Sequence, residues 1–389
     1  MVKHPDHLPF ATHALGEEER DEVLEVLASN WLTTGPRTQQ FEQDFSAYIG
    51  CDHALAVNSC TAGLHLALEA IGVGPGDRVI TTPYTFTATA EVIRYLGADP
   101  LFVDIDPKTL NIDPALIEEA LDKHGSKVKA VMPVHFAGQA CDMDPILEMA
   151  HAHDCRVVED AAHALPTTYK GKQVGAIGDL TAYSFYATKT ITTGEGGMVT
   201  TNNPDYAKRI STMRLHGIDR DVFDRYQSKK PAWYYEVVAP GFKYNMPDIL
   251  AALGINQLKK ADRFQARRQA IAEIYNRELV ELPLARPYVA RPEDQHAWHL
   301  YVIQLELGSI KMDRDQFIER MAELGVGLSV HFIPLHLHPY WRERYGFTPI
   351  DFPTAYEVFH QVVSLPIHPR MSDDDAMRVV ASIKKVLGA

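Results

Sequence analysis

The sequence predicts an α/β protein: a large domain with a mostly parallel seven-stranded sheet between helices, then a smaller C-terminal α+β domain. Three observations lead there. Over the first two thirds of the chain, short β-branched runs alternate with helical patterns, as in strands joined by crossover helices. Several runs, such as "VKAVMPV", are apolar almost throughout, as strands covered on both faces are. After about Asn245, long helical patterns take over and strands become sparse.

The candidate strands are "ALAVNS" (54–59), "DRVITTPYTF" (77–86), "PLFVDI" (100–105), "VKAVMPVHF" (128–136), "RVVEDAA" (156–162), "TAYSFYA" (181–187) and "GMVTTN" (197–202). Between them, "TAGLHLALEAIG" has apolar residues at helical spacing and ends on Gly72. "DPALIEEALDKHG" opens on Asp113 and Pro114, an N-cap followed by proline in the first turn. "DMDPILEMAHAHD" repeats that device. Beyond Asn245, the stretch from "DILAALGINQLKK" through "IAEIYNRELVEL" reads as one helix or two. A strand in "WHLYVIQLEL" (298–307), a helix in "DRDQFIERMAELG" and another strand in "LSVHFIP" follow. The last helix, "SDDDAMRVVASIKKVLG", has a serine cap and acids in its first turn. The expected division is 1–250 for the large domain and 251–389 for the small one.

Composition excludes several classes. An apolar fraction of 46% and a charged fraction of 23% suit a soluble globular protein. No apolar run is long enough to span a bilayer, and the first residues have no apolar signal region, so no membrane contact and a cytoplasmic location are expected. The net charge is −13 and no basic stripe is present, which argues against a nucleic-acid partner. Cys51, Cys60, Cys141 and Cys155 show no C-x-x-C spacing, so free thiols are expected. The three histidines of "HFIPLHLHPY" match no zinc spacing and have no carboxylate among them, so no metal is expected.

Three segments carry chemistry. In "SFYATKTITTGEGGMVTT", Lys189 stands between an aromatic run and a glycine-rich turn. A lysine is ordinarily a solvated surface charge, but these neighbours suit an interior. Gly194, Gly196 and Gly197 permit close backbone approach or positive φ. A desolvated amine has a lowered pKa and becomes a nucleophile for carbonyls. "CRVVEDAAHA" ends an apolar strand on Asp160, either a helix N-cap or a carboxylate at the edge where α/β proteins bind ligands. Glu159 alternates to the opposite side. "NSCTAGLHLAL" places small residues at a strand-to-helix junction, either a simple cap or an anion site suited to phosphate. Neither G-x-G-x-x-G nor G-x-x-x-x-G-K occurs, which disfavours dinucleotide and nucleoside triphosphate cradles.

A phosphate at Thr61, a carbonyl at Lys189 and a basic ring nitrogen at Asp160 are together the three functional groups of pyridoxal 5'-phosphate. A close charge pair is worth about 4 kcal/mol at an effective dielectric of ~20. At about 1.36 kcal/mol per pKa unit, that keeps the ring nitrogen protonated. "TTPYTFTATA" offers Tyr84 and Phe86 to cover the ring face.

These motifs stand in order with "WLTTGP", "FVDIDPKTLNID", "VHFAGQACDMDPI", "PGFKYNMPDILAALG" and "HFIPLHLHPY". The chain thereby resembles, over nearly its whole length, the DegT-type, pyridoxal-phosphate-dependent nucleotide-sugar aminotransferases of the fold type I superfamily. Its texture is closest to the branch that aminates a UDP-4-keto-pentose, in the UDP-4-amino-4-deoxy-L-arabinose pathway. His163 in "EDAAHA" and Lys243 in "GFKYN" are features of that branch. Many relatives carry glutamine in place of His163 and "NYR" in place of "KYN".

The resemblance implies that Lys189 holds the cofactor as a Schiff base, that Asp160 pairs with its ring nitrogen and that His163 lies near its ring hydroxyl. It implies Thr61, Ala62 and Ser184 at the phosphate and Phe86 stacked on the ring. It also implies a homodimer with sites at the interface, where Lys243 or Asn245 meets the phosphate of the neighbouring subunit's site. Thr33, Gly35 and His331 would line the sugar side. The implied reaction moves an amino group from L-glutamate to a keto-sugar nucleotide in two halves, with the Lys189 amine transferring the proton in each. A sugar dehydratase branch is disfavoured, because it carries histidine where Lys189 stands. Amination of a non-nucleotide keto-sugar or a cyclitol, and a non-catalytic sugar-nucleotide-binding regulator, are the competing readings.

Overall fold

The structure, a computed structural model, describes residues 6–219 and 233–388. Seven strands form the central sheet: β1 (His53–Val57), β2 (Arg78–Thr81), β3 (Asp99–Phe102), β4 (Val128–Val131), β5 (Arg156–Asp160), β6 (Leu180–Ser184) and β7 (Gly197–Thr201). Their spatial order is β1-β7-β6-β5-β4-β2-β3. From β6 across to β3 every pairing is parallel. β7 runs antiparallel to both β6 and β1. The loop from β6 to β7 contains no helix, and without a crossover a strand must return antiparallel.

Each strand is shorter than its apolar run. The run 77–86 stops pairing at Thr81, two residues before Pro83, which cannot donate to a ladder. Beyond Thr81 the chain turns out over the carboxyl end of the sheet, with Tyr84 and Thr85 buried. Helix Cys60–Ala70 leaves β1 through Ser59, whose hydroxyl accepts the Ala62 N–H at 3.1 Å. Every residue from Ala62 to Leu68 is buried, because this helix lies between the sheet and further helices. Asp113 caps helix Pro114–His124 through the Ala115 N–H, as expected. The Asp-Pro device does not recur in the next helix, Met143–Ala152, where Asp144 and Pro145 already lie inside the first turn. Its N-cap residue, Asp142, spends its carboxylate on the Tyr169 hydroxyl and on Arg291.

The long helical run beyond Asn245 is two helices, Asp248–Leu258 and Ala261–Glu278. The C-terminal layer is an antiparallel sheet of β8 (Leu284–Ala285), β9 (Tyr301–Leu305) and β10 (Val362–Leu365). The strand expected in "LSVHFIP" does not form; only Ser329 bridges to Ser364. The residues after it leave the ladder: His331 bonds the Ser364 hydroxyl of β10 through its side chain, and Phe332 packs on Tyr84 and Phe136. β10 pairs with β9, and its outer edge meets Ser329. Its four residues follow a helix directly, so no local pattern separates them from it. The last helix, Asp373–Leu387, has the expected serine cap, Ser372, reciprocated by Asp375.

The change of core does not fall at 250/251, which lies inside helix Asp248–Leu258. Ala251, Ile255, Leu258 and Phe264 pack with Phe41 and Phe45 of the large layer, while Ile271, Ala272 and Tyr275 pack with the C-terminal sheet. The crossover is therefore within helix Ala261–Glu278. The four cysteines are free, and no described helix is long and apolar enough to cross a membrane.

Candidate active site

A cavity of about 480 Å³ opens at the carboxyl ends of the parallel strands, where α/β sheets present ligand sites. Thr61, Phe86, Asp160, His163, Ser184, Lys189 and His331 all line it. Asp160 is the last residue of β5 and Ser184 the last of β6, so the sheet itself sets their spacing. Asp160 lies opposite Ala182 in the ladder, and its carbonyl accepts the His135 N–H at 3.1 Å, which pins the strand end.

Lys189 sits in the β6–β7 loop, its N–H on the Tyr186 carbonyl at 3.0 Å. Burial lowers its pKa to about 8, against the opposing pull of Cys60 and Asp160. An amine so placed is partly neutral near physiological pH, as a carbonyl nucleophile must be. Asp160 accepts the Thr89 hydroxyl at 2.8 Å and the Ala162 N–H at 3.1 Å. Burial nonetheless raises its pKa, over the lowering effects of those donors and of Lys189. Glu159 does face the other way, onto His135, Thr181 and Gly178.

The N-terminus of helix Cys60–Ala70 points its dipole into the cavity, and the N–H groups of Cys60 and Thr61 have no intrahelical carbonyl. The Ala62 N–H is occupied by Ser59. Gly197 lets strand and helix meet: a Cβ there would lie 2.7 Å from the Cys60 nitrogen and 2.7 Å from the Tyr183 carbonyl oxygen. The Ser184 hydroxyl stands beside this end and accepts the Tyr186 N–H at 3.3 Å.

His163 accepts the Ala137 N–H on Nδ1 at 3.3 Å and stacks on Phe332, with ring centroids 5.9 Å apart. Burial first, then the charges of Lys189 and His331, hold its pKa well below the usual histidine value. His331 bonds the Ser364 hydroxyl through Nδ1 at 2.8 Å, and burial takes its pKa down to about 4. Phe86 stands at the cavity rim, 62% exposed, so its face is open to a flat ligand.

Thr33, Gly35, Lys243 and Asn245 do not line this cavity. They form a patch of their own. Asn245 Nδ2 donates to Thr34 Oγ1 at 2.7 Å, and Lys243 Nζ to Asn245 Oδ1 at 2.5 Å. The Asp248 carboxylate accepts the Gly35 N–H at 2.8 Å, and the Asp248 N–H bonds the Thr33 carbonyl at 3.2 Å. Cys60, Thr89, Tyr186, Glu195, His299 and Phe332 line the cavity without having been singled out from the sequence. Thr89 lies in the first turn of helix Ala88–Tyr95, and its hydroxyl bonds that of Thr85, in the turn before the helix, at 2.8 Å. No local pattern pointed to His299.

A buried amine, a buried carboxylate with a raised pKa, and a helix N-terminus with a hydroxyl beside it thus converge in one cavity. These groups fit pyridoxal 5'-phosphate: aldehyde to Lys189, ring nitrogen to Asp160, phosphate to the Cys60–Ala70 helix end. A cationic ring nitrogen would reverse the effect of burial on Asp160. Among the described residues no group of three or more histidines, cysteines and carboxylates could hold a metal ion.

Fold and site define a pyridoxal-phosphate-dependent transferase of fold type I. The chain belongs to the DegT/DnrJ/EryC1/StrS aminotransferase family, whose profile matches residues 13–384, and it is a sugar aminotransferase of that class. It is 50% identical over 98% of its length to the uncharacterised protein MJ1066 of Methanocaldococcus jannaschii, covering 97% of that protein. It is 48% identical, over 100% of its length and 99% of the relative, to the spore coat polysaccharide biosynthesis protein SpsC of Bacillus subtilis. Among solved structures it is similar to the putative sugar aminotransferase Spr1654 of Streptococcus pneumoniae in its PMP form. That match has a TM-score of 0.91 at 32% identity and covers 98% of this chain and 99% of that one. PseC of Helicobacter pylori, an aminotransferase of pseudoaminic acid biosynthesis, matches with a TM-score of 0.90 at 28% identity, covering 98% and 100% of the two chains.

Proposed function

We propose that the protein transfers an amino group from L-glutamate to the keto group of a nucleotide-linked sugar, a UDP-linked 4-keto sugar best of all. The product would enter cell-surface polysaccharide or lipopolysaccharide biosynthesis in the cytoplasm. The observation that carries this reading is Asp160 at the end of β5 and Lys189 in the loop after the neighbouring β6 facing one cavity, with the Cys60–Ala70 helix terminus at its edge. The names of SpsC and PseC support the polysaccharide context.

When bound, pyridoxal 5'-phosphate supplies an aldehyde and an electron-accepting ring. Asp160 keeps the ring nitrogen protonated. Thr61 and Ser184 bind the phosphate together with the helix N–H groups, and Phe86 covers the ring. His163 directs a hydrogen bond to the ring oxygen. Lys189 Nζ takes the α-proton from the donor and returns a proton to the acceptor carbon, and the apolar walls exclude water. Lys243 and Asn245, which one chain holds away from its own cavity, serve the cavity of a neighbouring subunit in a homodimer. His331 contacts the sugar side from within the cavity, and Thr33 and Gly35, set apart with Lys243 and Asn245, do so in the cavity of the neighbouring subunit.

The test is to load the protein with the amine form of the cofactor and offer UDP-, GDP- and dTDP-linked 4-keto and 3-keto sugars. Conversion of a UDP-4-keto sugar with loss of the amine form is expected, and Lys189→Ala abolishes it. Turnover only of free keto-sugars or cyclitols would reject the nucleotide-linked reading.

A further inference from the structure

One side chain from the C-terminal layer reaches the cavity without a part in that chemistry. His299 lines the cavity, with its ring centroid 4.3 Å from that of His163. It is 6% exposed, and its Nδ1 is buried without a hydrogen-bond partner among the described residues. Such orphaned polar atoms are rare in native interiors and call for a reason.

The backbone that carries His299 is held from two sides. On helix Ala261–Glu278, Gln265, Arg268 and Gln269 share one face, at spacings i, i+3 and i+4. Gln265 Nε2 donates to the His296 carbonyl at 2.8 Å, and Trp298 Nε1 donates to Gln269 Oε1 at 2.6 Å. Arg268 Nη1 donates to the carbonyls of Trp298, His299 and Ile367 at 3.1, 3.3 and 2.6 Å. From the other side, the Ala297 N–H bonds the Gly138 carbonyl at 3.0 Å and the Leu300 N–H bonds the Ala137 carbonyl at 3.2 Å. Ala137 then gives its own N–H to His163 Nδ1. Gly138 marks how tight this junction is: a Cβ there would lie 2.8 Å from the Ala297 Cβ and 3.0 Å from the His163 carbonyl oxygen.

Two features of the clasp are costly. Arg268 is 3% exposed, and burial, with no carboxylate acting against it, takes its pKa down to about 10. A buried charge spent on carbonyls is expensive to desolvate. Trp298 holds φ at +47°, a left-handed conformation unfavourable for a bulky side chain. Backbone of this kind persists only where its surroundings over-determine it, and it gathers at functional sites.

We infer that Arg268 and His299 are positioning residues: the clasp sets the plane and the tautomer of His163. The Ala137 N–H occupies Nδ1, so Nε2 carries the proton, and the His299 ring keeps the His163 ring from turning away. His163 thereby presents a fixed Nε2–H donor to the cofactor's ring oxygen. This inference rests on the role proposed for His163.

The test reads the pH midpoint at which the bound cofactor's visible absorbance band titrates in the holoenzyme. A donor to the ring oxygen stabilises its deprotonated form, so loss of the donor raises the midpoint. His299→Ala is expected to raise it by about one unit. His163→Ala should raise it at least as far, and the double variant no further than His163→Ala alone. His299→Phe keeps a ring against His163 and should titrate near wild type. His299→Leu conserves bulk and replaces the alanine variant should that not fold, with the same expected direction. An equal shift from His299→Ala with and without His163, or no shift in a folded holoenzyme, overturns the inference. Failure of the underlying reading is different: the wild-type protein would then carry no visible band to titrate.

Discussion

Two carboxylates end strand β5, adjacent in sequence and on opposite faces of the sheet. Glu159 is 0% exposed and accepts three protein donors: His135 Nε2–H at 2.9 Å, the Thr181 hydroxyl at 2.7 Å and the Gly178 N–H at 2.9 Å. Burial alone would raise its pKa, but these donors outweigh it and hold it below the ordinary value. Because the Cys141 N–H occupies His135 Nδ1 at 3.0 Å, the His135 proton sits on Nε2, facing Glu159. Asp160, 5% exposed, has only the Thr89 hydroxyl and the Ala162 N–H as donors among the described residues, and burial wins. The lesson concerns completeness. A buried carboxylate whose donors all come from the protein is a structural joint. One left short of donors, and facing a cavity, is waiting for a cation.

Exchanging the two acids for their amides sharpens this contrast. Asp160→Asn should cost activity about a hundredfold to a thousandfold, with melting temperature near wild type, because the charge serves the ligand. Steady-state kinetics beside thermal melts check this, and near-normal rates would end the pairing with the ring nitrogen. Glu159→Gln should do the reverse. Its NH₂ group would confront groups that already donate, costing about 1–3 kcal/mol of stability while kcat of the folded fraction holds. Denaturant titration reads that loss, and a stable, inactive variant would erase the distinction between the faces. Thr89→Val should have the smallest effect. It removes one of two donors to Asp160, so kcat/KM should fall about threefold to tenfold without loss of cofactor. A loss as large as that of Asp160→Asn would mean Thr89 acts beyond that hydrogen bond.

The alternation of apolar runs and helices was enough to expect the central sheet. It also singled out Lys189, Asp160 and Thr61, which the structure brings to one cavity, because each sits at or just beyond a strand end; Ser184 came with the family resemblance. The antiparallel turn of β7 was not legible, since a strand's direction depends on its connection. Nor was β10, whose four residues look like the end of the preceding helix. "LSVHFIP" has the composition of a strand, yet it leaves the ladder, His331 bonding Ser364 through its side chain and Phe332 packing on Tyr84 and Phe136.

The sequence by itself determined the α/β layering and the three segments that face the cavity, because period, caps and strand ends are written in neighbouring residues, and its ordered motifs carried the family. Only the tertiary structure decided that Thr89 supports Asp160 across 71 positions, that His299 rests on His163, and that Asn245 joins Thr34 rather than its own cavity. Those contacts arise from how layers dock on one another. Docking is governed by shape and burial summed over the whole chain, which no local window contains.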